Sequence, residues 1–229
     1  MKEWKGKLGE KEYIVRKLKP DHMDSILRLQ HIVLQTMEND NFLSPLTKEE
    51  YEYSIAHNLM IGAFVDNKLI AFRALALPPM DDDHLGIDIG LSSEKLGKVV
   101  YQEITNVHPD YRGFGMQKKL GVIIMEILDA STYTHVCATV APFNIPSLKD
   151  KLSQGMVIGA LKKKYGGMLR YVFYKKIHVN RASGEKLLEI PMDAIEKQQQ
   201  VIADGWIGTA IFQKENKWYV NYEEKGTYI

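Results

Sequence analysis

The segment from residue 99 to residue 130 constrains the fold of this 229-residue chain more than any other. Val99 to Val107 is rich in β-branched residues and partly alternates between polar and apolar, which predicts a strand. The run Pro109-Asp110-Tyr111-Arg112-Gly113 breaks that strand, and apolar residues then recur at helical spacing from Met116 to about Ala130. The chain is therefore predicted to pass from a strand through a glycine-containing turn into a helix.

The other predicted elements follow the same two kinds of spacing, alternation for strands and helical recurrence for helices. In chain order they are a hairpin of Glu3–Leu8 and Glu12–Leu18, a helix from Pro20-Asp21 to about Met37 capped by Asp21, a helix from Lys48 to about His57 behind the capping box Thr47 and Glu50, a hairpin of LMIGAFV and LIAFRALAL, an irregular loop from Pro78 to Leu96, a strand His135–Val140, a helix from Pro146 to Gly155, a strand Leu169–Lys176, a helix Asp193–Ala203, and strands Trp206–Phe212 and Trp218–Tyr222.

This order of elements predicts the fold class. Hairpins interleaved with helices are typical of an α/β protein with a mixed, mainly antiparallel sheet flanked by helices on both faces. The last helix and two strands form a C-terminal extension. We expect residues 1–178 to form one domain and residues 179–229 to pack on that same domain as the extension.

Composition excludes several classes of function. Lys and Arg total 30 against 29 Asp and Glu, so the formal net charge of +1 favours neither nucleic acid nor an anionic membrane as a partner. No segment resembles a membrane span or a signal peptide, which favours a cytoplasmic protein. Cys137 is the single cysteine and lies in an apolar run, which indicates a small buried side chain. The histidines show no ligand spacing, so we expect no metal.

The predicted start of the helix at Met116 is suited to binding an anion. The first amides of a helix have no intrahelical partners, and the helix dipole adds roughly half a positive charge there. Gly113 and Gly115 let the backbone approach a ligand, so the amides from Gly113 to Gln117 can point at one pyrophosphate, and Lys118 and Lys119 could add positive charge. The third glycine of the dinucleotide fingerprint is missing, and so is the GxxxxGK(S/T) pattern of a nucleotide P-loop. A purely structural turn is the alternative.

With the elements in this order, the chain resembles the GNAT family of acyl-coenzyme A-dependent N-acyltransferases. The family motif follows a strand ending in Val-x-Pro and reads Arg or Gln, two residues, Gly, one residue, then Gly or Ala. The corresponding stretch here is Val107-His108-Pro109-Asp110-Tyr111-Arg112-Gly113-Phe114-Gly115-Met116-Gln117, in which Gln117 replaces the final small residue. The resemblance implies acetyl-coenzyme A as a co-substrate, held by Val107, Arg112, Gly113, Phe114, Gly115, Met116, Gln117 and Lys118.

A second stretch resembles the family after the next predicted strand. Family members often carry Asn, then Ser or Ala three residues later, then a Gly-aromatic pair, and Asn144, Ser147 and Gly155-Met156 occupy these places. The resemblance implies that Asn144 and Ser147 contact the coenzyme, and a simple helix cap is the alternative for Asn144. Lys151 stands where many members have a general-acid tyrosine. Proton return to the coenzyme thiolate could come from Lys151, from Tyr165 or from water.

The resemblance also implies a catalytic arrangement on the strand Val99–Val107. In the family this strand splays from its neighbour and exposes backbone groups to the thioester, which makes the amide of Val107 the expected oxyanion donor. Glu103 is the candidate general base, because a carboxylate in an apolar strand is unfavourable unless paired or used, and because alternation places it on the side of Val99, Thr105 and Val107. A structural ion pair is the alternative for Glu103, and His108 is the second candidate base.

Three functions are consistent with these expectations. The first is an enzyme that moves an acetyl or short acyl group from acyl-coenzyme A to a primary amine, on a small molecule or a peptide, by direct attack. The second is a GNAT-like domain that binds acyl-coenzyme A as a sensor or structural ligand without turnover. The third is an α/β interaction protein without a ligand.

Two further regions bear on substrates and partners. The run Asp81-Asp82-Asp83-His84 lies near the place where an acceptor enters in this fold and could attract a cationic amine, with a solvated surface loop as the alternative. The aromatic residues of the tail could pack on the core, extend the sheet or form a homodimer contact, with core packing as the default. These residues are Trp206, Trp218, Tyr219 and Tyr222.

Overall fold

The computed structural model describes residues 3–36, 45–179, 184 and 186–224. The chain divides into two compact units, Met1–Leu77 with Tyr101–Leu128, and Pro78–Val100 with Asp129–Ile229. The boundaries of these units differ from the expected domain boundaries, 1–178 and 179–229. The expected domain division stays a prediction. Among the described helices, none combines the length and the apolar character that crossing a membrane requires.

The chain alternates eleven strands and seven helices in its described part. They are β1 (Trp4–Leu8), β2 (Lys11–Lys17), α1 (Met23–Gln35), α2 (Lys48–Ala56), β3 (Met60–Val65), β4 (Lys68–Ala76), α3 (Leu85–Asp88), α4 (Ser93–Leu96), β5 (Val99–Val107), α5 (Met116–Ile127), β6 (His135–Val140), α6 (Ile145–Ser153), β7 (Val157–Lys164), β8 (Met168–Lys176), β9 (Leu187–Pro191), α7 (Ile195–Ala203), β10 (Trp206–Lys214) and β11 (Lys217–Glu224). The α/β class and the mainly antiparallel sheet flanked by helices are confirmed. β5 and β6 have their predicted bounds, whereas the predicted loop from Pro78 to Leu96 contains α3 and α4, and β7 and β9 are additional strands.

The first unit is an antiparallel sheet in the order β1-β2-β3-β4-β5 with helices on both faces. Helices α1 and α2 pack against one face, where Ile26, Tyr51, Phe72 and Ile104 belong to one buried apolar cluster. Burying each such side chain stabilises the fold by about 1.5–3 kcal/mol. Arg73 follows Phe72 on β4, points to the other face and hydrogen-bonds to α5.

The start of α1 differs from the prediction. Residues Pro20–His22 form a 3₁₀ turn, so Asp21 lies before the helix and does not cap it. His22 is the N-cap residue of α1, and its Nδ1 accepts from the backbone N–H of Lys19 at 3.0 Å. The predicted end near Met37 lies outside the described residues. The capping box of α2 is confirmed, because Thr47 and Glu50 exchange the expected hydrogen bonds.

The second unit contains a sheet in the order β6-β8-β7-β10-β11-β9. Strands β10 and β11 pair with each other, and β10 joins the sheet through β7, so the C-terminal strands extend it. Tyr222 is fully buried, and its hydroxyl and that of Tyr171 both donate to Oε1 of Gln198, at 2.9 and 2.7 Å. Strands β10 and β11 thus extend the sheet of this unit, and Tyr222 packs in its core, whereas Trp206, Trp218 and Tyr219 are half-buried. A homodimer contact stays a prediction.

Cys137 is fully buried in β6, as the apolar run predicts. Burial raises the pKa of its thiol well above the ordinary value, with a smaller contribution from the charge of Asp88. The thiol therefore stays protonated and is not a nucleophile in the folded protein.

Candidate active site

Strand β5 contains a β-bulge at Glu103. Its pairing with β4 is one to one from Val107 opposite Ala71 to Ile104 opposite Ala74. The register then shifts, so that Leu75 faces Gln102 and Glu103 is the extra residue. Such bulges increase the local twist and re-aim the side chains beside them, and they are over-represented next to active sites.

The bulge changes which side chains of β5 share a face. Thr105 and Val107 lie on the face of Arg73, whereas Val99 lies on the opposite face, because alternation is interrupted between them. The expected common side for Val99 and Val107 is therefore wrong. Glu103 is exposed rather than buried among apolar residues, so the burial argument for it is also wrong. Its role as general base stays a prediction.

The backbone amide of Val107 points away from β4. The N–H of His108 donates to the carbonyl of Ile70 at 2.8 Å, and hydrogen-bonded pairs alternate with non-hydrogen-bonded pairs along an antiparallel ladder. The facing pair Val107 and Ala71 is therefore of the non-hydrogen-bonded kind. The Val107 N–H is directed to the other edge of β5, which is the orientation that an oxyanion donor on this strand requires.

The turn after β5 depends on two glycines. Gly113 has φ +83° and Gly115 has φ +70°, and other residues adopt this left-handed region at a cost of roughly 1–2 kcal/mol. Apart from the glycine itself and the residues adjacent to it in the chain, no described residue has an atom within 4 Å of where a Cβ would stand at either position. Positive φ, rather than crowding by the protein, is thus the reason that glycine is needed here.

Helix α5 begins with open donors. Its N-cap residue is Gly115, and within the described chain no side chain caps this helix start. The first turn is closed by the bond from Lys119 N–H to the Gly115 carbonyl at 3.0 Å, and Met116 is buried beneath it. The amides before Lys119 therefore lie at the positive end of a 12-residue helix dipole. Phe114 and Lys118 are exposed beside them.

Arg112 connects this turn to α1. Its Nη2 donates to Oγ1 of Thr36 at 2.8 Å, and that hydroxyl in turn donates to the carbonyl of Val33 at 2.9 Å. Thr36 is the C-cap residue of α1, where a cation is favoured by the dipole. The Arg112 side chain thus helps to fix the turn that carries Gly113 and Gly115.

Arg73 is a residue of this region that the sequence analysis missed. It is fully buried, its Nη1 donates to the backbone carbonyl of Gln117 at 3.1 Å, and its Nη2 donates to Oε1 of Gln102 at 2.5 Å. Gln117 itself is half-buried in the first turn of α5. A charged residue inside the apolar run LIAFRALAL was the available signal, because the same reasoning singled out Glu103.

The corresponding segment of the second unit has a capped helix start. Asn144 is the buried N-cap residue of α6, and its Oδ1 accepts from the Ser147 N–H at 3.3 Å. The alternative interpretation of Asn144 as a helix cap is therefore confirmed, and coenzyme contacts of Asn144 and half-buried Ser147 stay a prediction. Nζ of Lys151 lies 3.5 Å from Oδ2 of Asp150.

Tyr165, the other candidate proton donor, stands in the turn between β7 and β8. It has φ +50°, which is unusual for a bulky side chain, and about half of its surface is exposed. Its hydroxyl lies 3.2 Å from Oγ1 of Thr139, near the end of β6. The phenol is therefore both accessible and held in one place within the second unit.

The acidic run before α3 is partly engaged within the second unit. Lys164 has a nearly buried side chain, and its Nζ lies 3.2 Å from Oδ1 of Asp83 and 2.9 Å from Oδ2 of Asp88. Burial alone would lower the pKa of Lys164, but the hydrogen bonds that its Nζ donates to Asp88 and Asp83, together with their negative charges, outweigh burial and raise the pKa. His84 is buried and caps α3 by accepting from Gly86 N–H. Asp81 and Asp82 are exposed, as a solvated loop predicts.

His108, the second candidate base, is half-buried beside the 3₁₀ turn that follows β5. Its Nδ1 accepts from the Asp110 N–H at 3.3 Å, and its ring makes an edge contact with Tyr111. These contacts give it a local capping role. Proton transfer by His108 stays a prediction.

A mainly antiparallel sheet flanked by helices defines an α/β protein, in which the bulged strand β5 leads to a helix without a side-chain cap at its start. The solved structures similar to the chain include a GNAT-family acetyltransferase from Streptococcus pneumoniae, at 16% identity over 72% of this chain and 99% of that chain, with a TM-score of 0.54. A GNAT-family acetyltransferase from Listeria monocytogenes is 14% identical over 75% of this chain and 99% of that chain, with a TM-score of 0.55. The PaiA N-acetyltransferase from Thermoplasma acidophilum in complex with coenzyme A is 14% identical over 72% of this chain and 98% of that chain, with a TM-score of 0.50. No family model and no curated protein matches the sequence. The chain therefore has the fold of the GNAT acetyltransferases, as its resemblance to that family predicted.

Proposed function

We propose that this protein is an N-acetyltransferase that moves an acetyl group, or a short acyl group, from acyl-coenzyme A to a primary amine. The start of α5 is the observation that supports the proposal most. Gly115 leaves the first amides of a 12-residue helix without a side-chain cap, and a 3₁₀ turn and the glycine turn connect those amides to the strand that carries Val107. One short segment thus offers donors suited to a pyrophosphate and, nearby in sequence, an amide suited to an oxyanion.

The proposed reaction is a direct attack. The amine loses a proton to Glu103, or to water that Glu103 orients, and its nitrogen bonds to the thioester carbonyl carbon. The Val107 N–H stabilises the negative charge that develops on the carbonyl oxygen. The carbon–sulfur bond then breaks, and the thiolate takes a proton from Lys151, Tyr165 or water. The products are an amide and coenzyme A.

Acetyl-coenzyme A is the proposed co-substrate. Arg112 to Lys118 would hold its pyrophosphate, and Asn144 and Ser147 would contact its pantetheine arm, as the resemblance implies. The acceptor would be a primary amine on a small molecule or a peptide, and neither nucleic acid nor membrane is proposed as a partner. In the described part of the chain, no group of His, Cys, Asp or Glu side chains is arranged to hold a metal ion. A cytoplasmic location stays a prediction of the sequence.

Two measurements, made one after the other, test the proposal. Titration calorimetry with acetyl-coenzyme A should show one binding site per chain, and absence of binding would contradict the proposal and leave an interaction protein without this ligand. Release of coenzyme A thiol should then rise above the amine-free rate with at least one member of a panel of polyamines, small primary amines and peptides. Binding without amine-dependent release would instead support a sensor or structural role.

A further inference from the structure

Arg73 is buried in a way that calls for a physical reason. Arginine is rarely buried completely, and the donors of a buried arginine must be bound; Arg73 has no exposed surface. Its Nη1 donates to the carbonyl of Gln117 and its Nη2 to Oε1 of Gln102. These two bonds join three elements of the first unit, because Arg73 lies on β4, Gln102 on β5 and Gln117 on α5. The guanidinium thus spans from the bulged strand β5 to the first turn of α5.

The carbonyl that Arg73 contacts belongs to the peptide unit between Gln117 and Lys118, in the first turn of α5. The C=O of Gln117 and the N–H of Lys118 are the two ends of one planar peptide unit. Lys118 is the third residue of α5, so its N–H is one of the donors at the open helix start. A hydrogen bond received by the carbonyl polarises the unit and strengthens its N–H as a donor, by roughly 10–30% in condensed-phase estimates. Arg73 therefore acts on an amide proposed to bind phosphate.

The β-bulge explains why Gln102 can reach Arg73. The register shift at Glu103 pairs Gln102 with Leu75, which lies on the same face of β4 as Arg73. Without the extra residue, alternation would place Gln102 on the opposite face, among the apolar residues beneath α1 and α2. The same irregularity that re-aims β5 thus supplies the acceptor that orients the guanidinium.

We infer that Arg73, oriented by Gln102, is a positioning residue for the diphosphate of coenzyme A. Through its hydrogen bond to the Gln117 carbonyl it holds the first turn of α5 and strengthens the Lys118 amide as a donor. The inference rests on the proposed function, because it assigns a residue to the same coenzyme site. It also makes this site depend on a residue of β4, outside the motif by which the chain resembles GNAT proteins.

The test compares two ligands that differ in phosphate. Coenzyme A binding is measured by titration calorimetry, and S-acetylpantetheine, which has the thioester arm without phosphate, by ligand-observed NMR. Arg73→Met removes the charge at similar size. Gln102→Glu keeps an acceptor for Nη2 and adds a negative charge beside the guanidinium. Arg16→Met is the matched control, because Arg16 is a half-buried arginine of the same unit that packs over the ring of Phe64.

Arg73→Met is expected to weaken coenzyme A binding about tenfold, which corresponds to about 1.4 kcal/mol, and to leave S-acetylpantetheine binding unchanged. Gln102→Glu is expected to change coenzyme A binding in the same direction, and Arg16→Met to change neither ligand. Wild-type coenzyme A affinity in both Arg73→Met and Gln102→Glu would overturn the inference, as would equal loss of both ligands, which indicates a purely structural role.

Folding and the proposed function are controlled separately. Thermal melting identifies a variant that has not folded, and if Arg73→Met does not fold, Gln102→Glu decides the question by the same two ligands. If the wild-type protein binds no coenzyme A, the proposed function fails and the inference fails with it. If the wild type binds and the variants bind equally well, the inference alone fails.

Discussion

The segments β5–α5 and β6–α6 have the same local architecture, a strand followed by a turn and a helix, yet they treat their hydrogen-bond donors differently. Strand β6 pairs with β8 residue by residue from His135 to Val140, whereas β5 is interrupted at Glu103. Helix α6 starts at Asn144, whose own side chain accepts an amide of the first turn, whereas α5 starts at Gly115 without such a cap. The first turn of α6 is thus capped by its own asparagine, whereas the first amides of α5 have no side-chain cap in the described chain.

The difference follows from very few side chains. An asparagine at the start of α6 supplies an oxygen, and the following Ile145-Pro146 starts the helix with a residue that has no N–H to satisfy. Gly113 and Gly115 supply neither oxygen nor bulk before α5, and they permit a backbone that other residues avoid. A helix start without a capping side chain keeps its first N–H groups available to donate hydrogen bonds to a partner such as an anion.

The largest expected effect tests whether the interrupted strand carries chemistry. Glu103→Gln should lower kcat about 10²–10⁴-fold, the usual contribution of a general base, because the amide cannot accept the amine proton. Coenzyme A affinity should stay nearly unchanged, since Glu103 is proposed to act on the acceptor. Steady-state thiol release and calorimetry measure the two quantities, and Glu94→Gln, an exposed glutamate of α4, is the control. Unchanged kcat would remove Glu103 from the mechanism.

A smaller effect is expected when the open start of α5 is given a side chain like that of α6. Gly115→Asp and Gly115→Asn introduce side chains of nearly equal size that tolerate positive φ better than most. The aspartate should weaken coenzyme A binding about 100-fold, or about 2.7 kcal/mol, by repelling the phosphates, and the asparagine should weaken it less. Calorimetry at low ionic strength measures both. Equal affinities in the two variants would mean that no anion binds at this helix start.

The smallest expected effect concerns the capped helix. Asn144→Ala should lower the free energy of unfolding by about 1 kcal/mol, the usual value of an N-cap, as measured by urea denaturation. Asn144→Ser should retain most of that stability, because serine can also cap. If Asn144 additionally contacts the coenzyme, both variants should bind it more weakly than the wild type. If both variants bind coenzyme A as tightly as the wild type, Asn144 only caps α6 and does not contact the coenzyme.

The sequence predicts the regular parts of both segments. The bounds of β5 and β6 follow from β-branched residues between strong breakers, and Gly113 and Gly115 mark the turn without any structure. Strand β7 was not predicted, because it ends in three consecutive lysines and therefore lacks a clear alternation of polar and apolar residues. The bulge was not predicted either, since a single extra residue in one strand is defined by its partner strand, and pairing register is a tertiary property.

The candidate site shows the same limit. A glycine turn can be recognised in sequence because its conformation is local, whereas Arg73 and Gln102 meet only through the pairing of β4 with β5. Glu103 was a candidate because it is a charged residue in an apolar strand. In the structure it is the extra residue of the bulge, and its side chain is exposed. Residues that act through long-range contacts are therefore the ones that sequence patterns assign least well.

The buried thiol of Cys137 has a practical consequence for kinetics. As the single cysteine of the chain, protonated and without exposed surface, it should react with thiol reagents only when the sheet around β6 opens. A reagent that measures coenzyme A thiol would then meet almost no protein thiol in the folded state. The rate at which Cys137 is modified would in turn measure how often the second unit opens locally around β6.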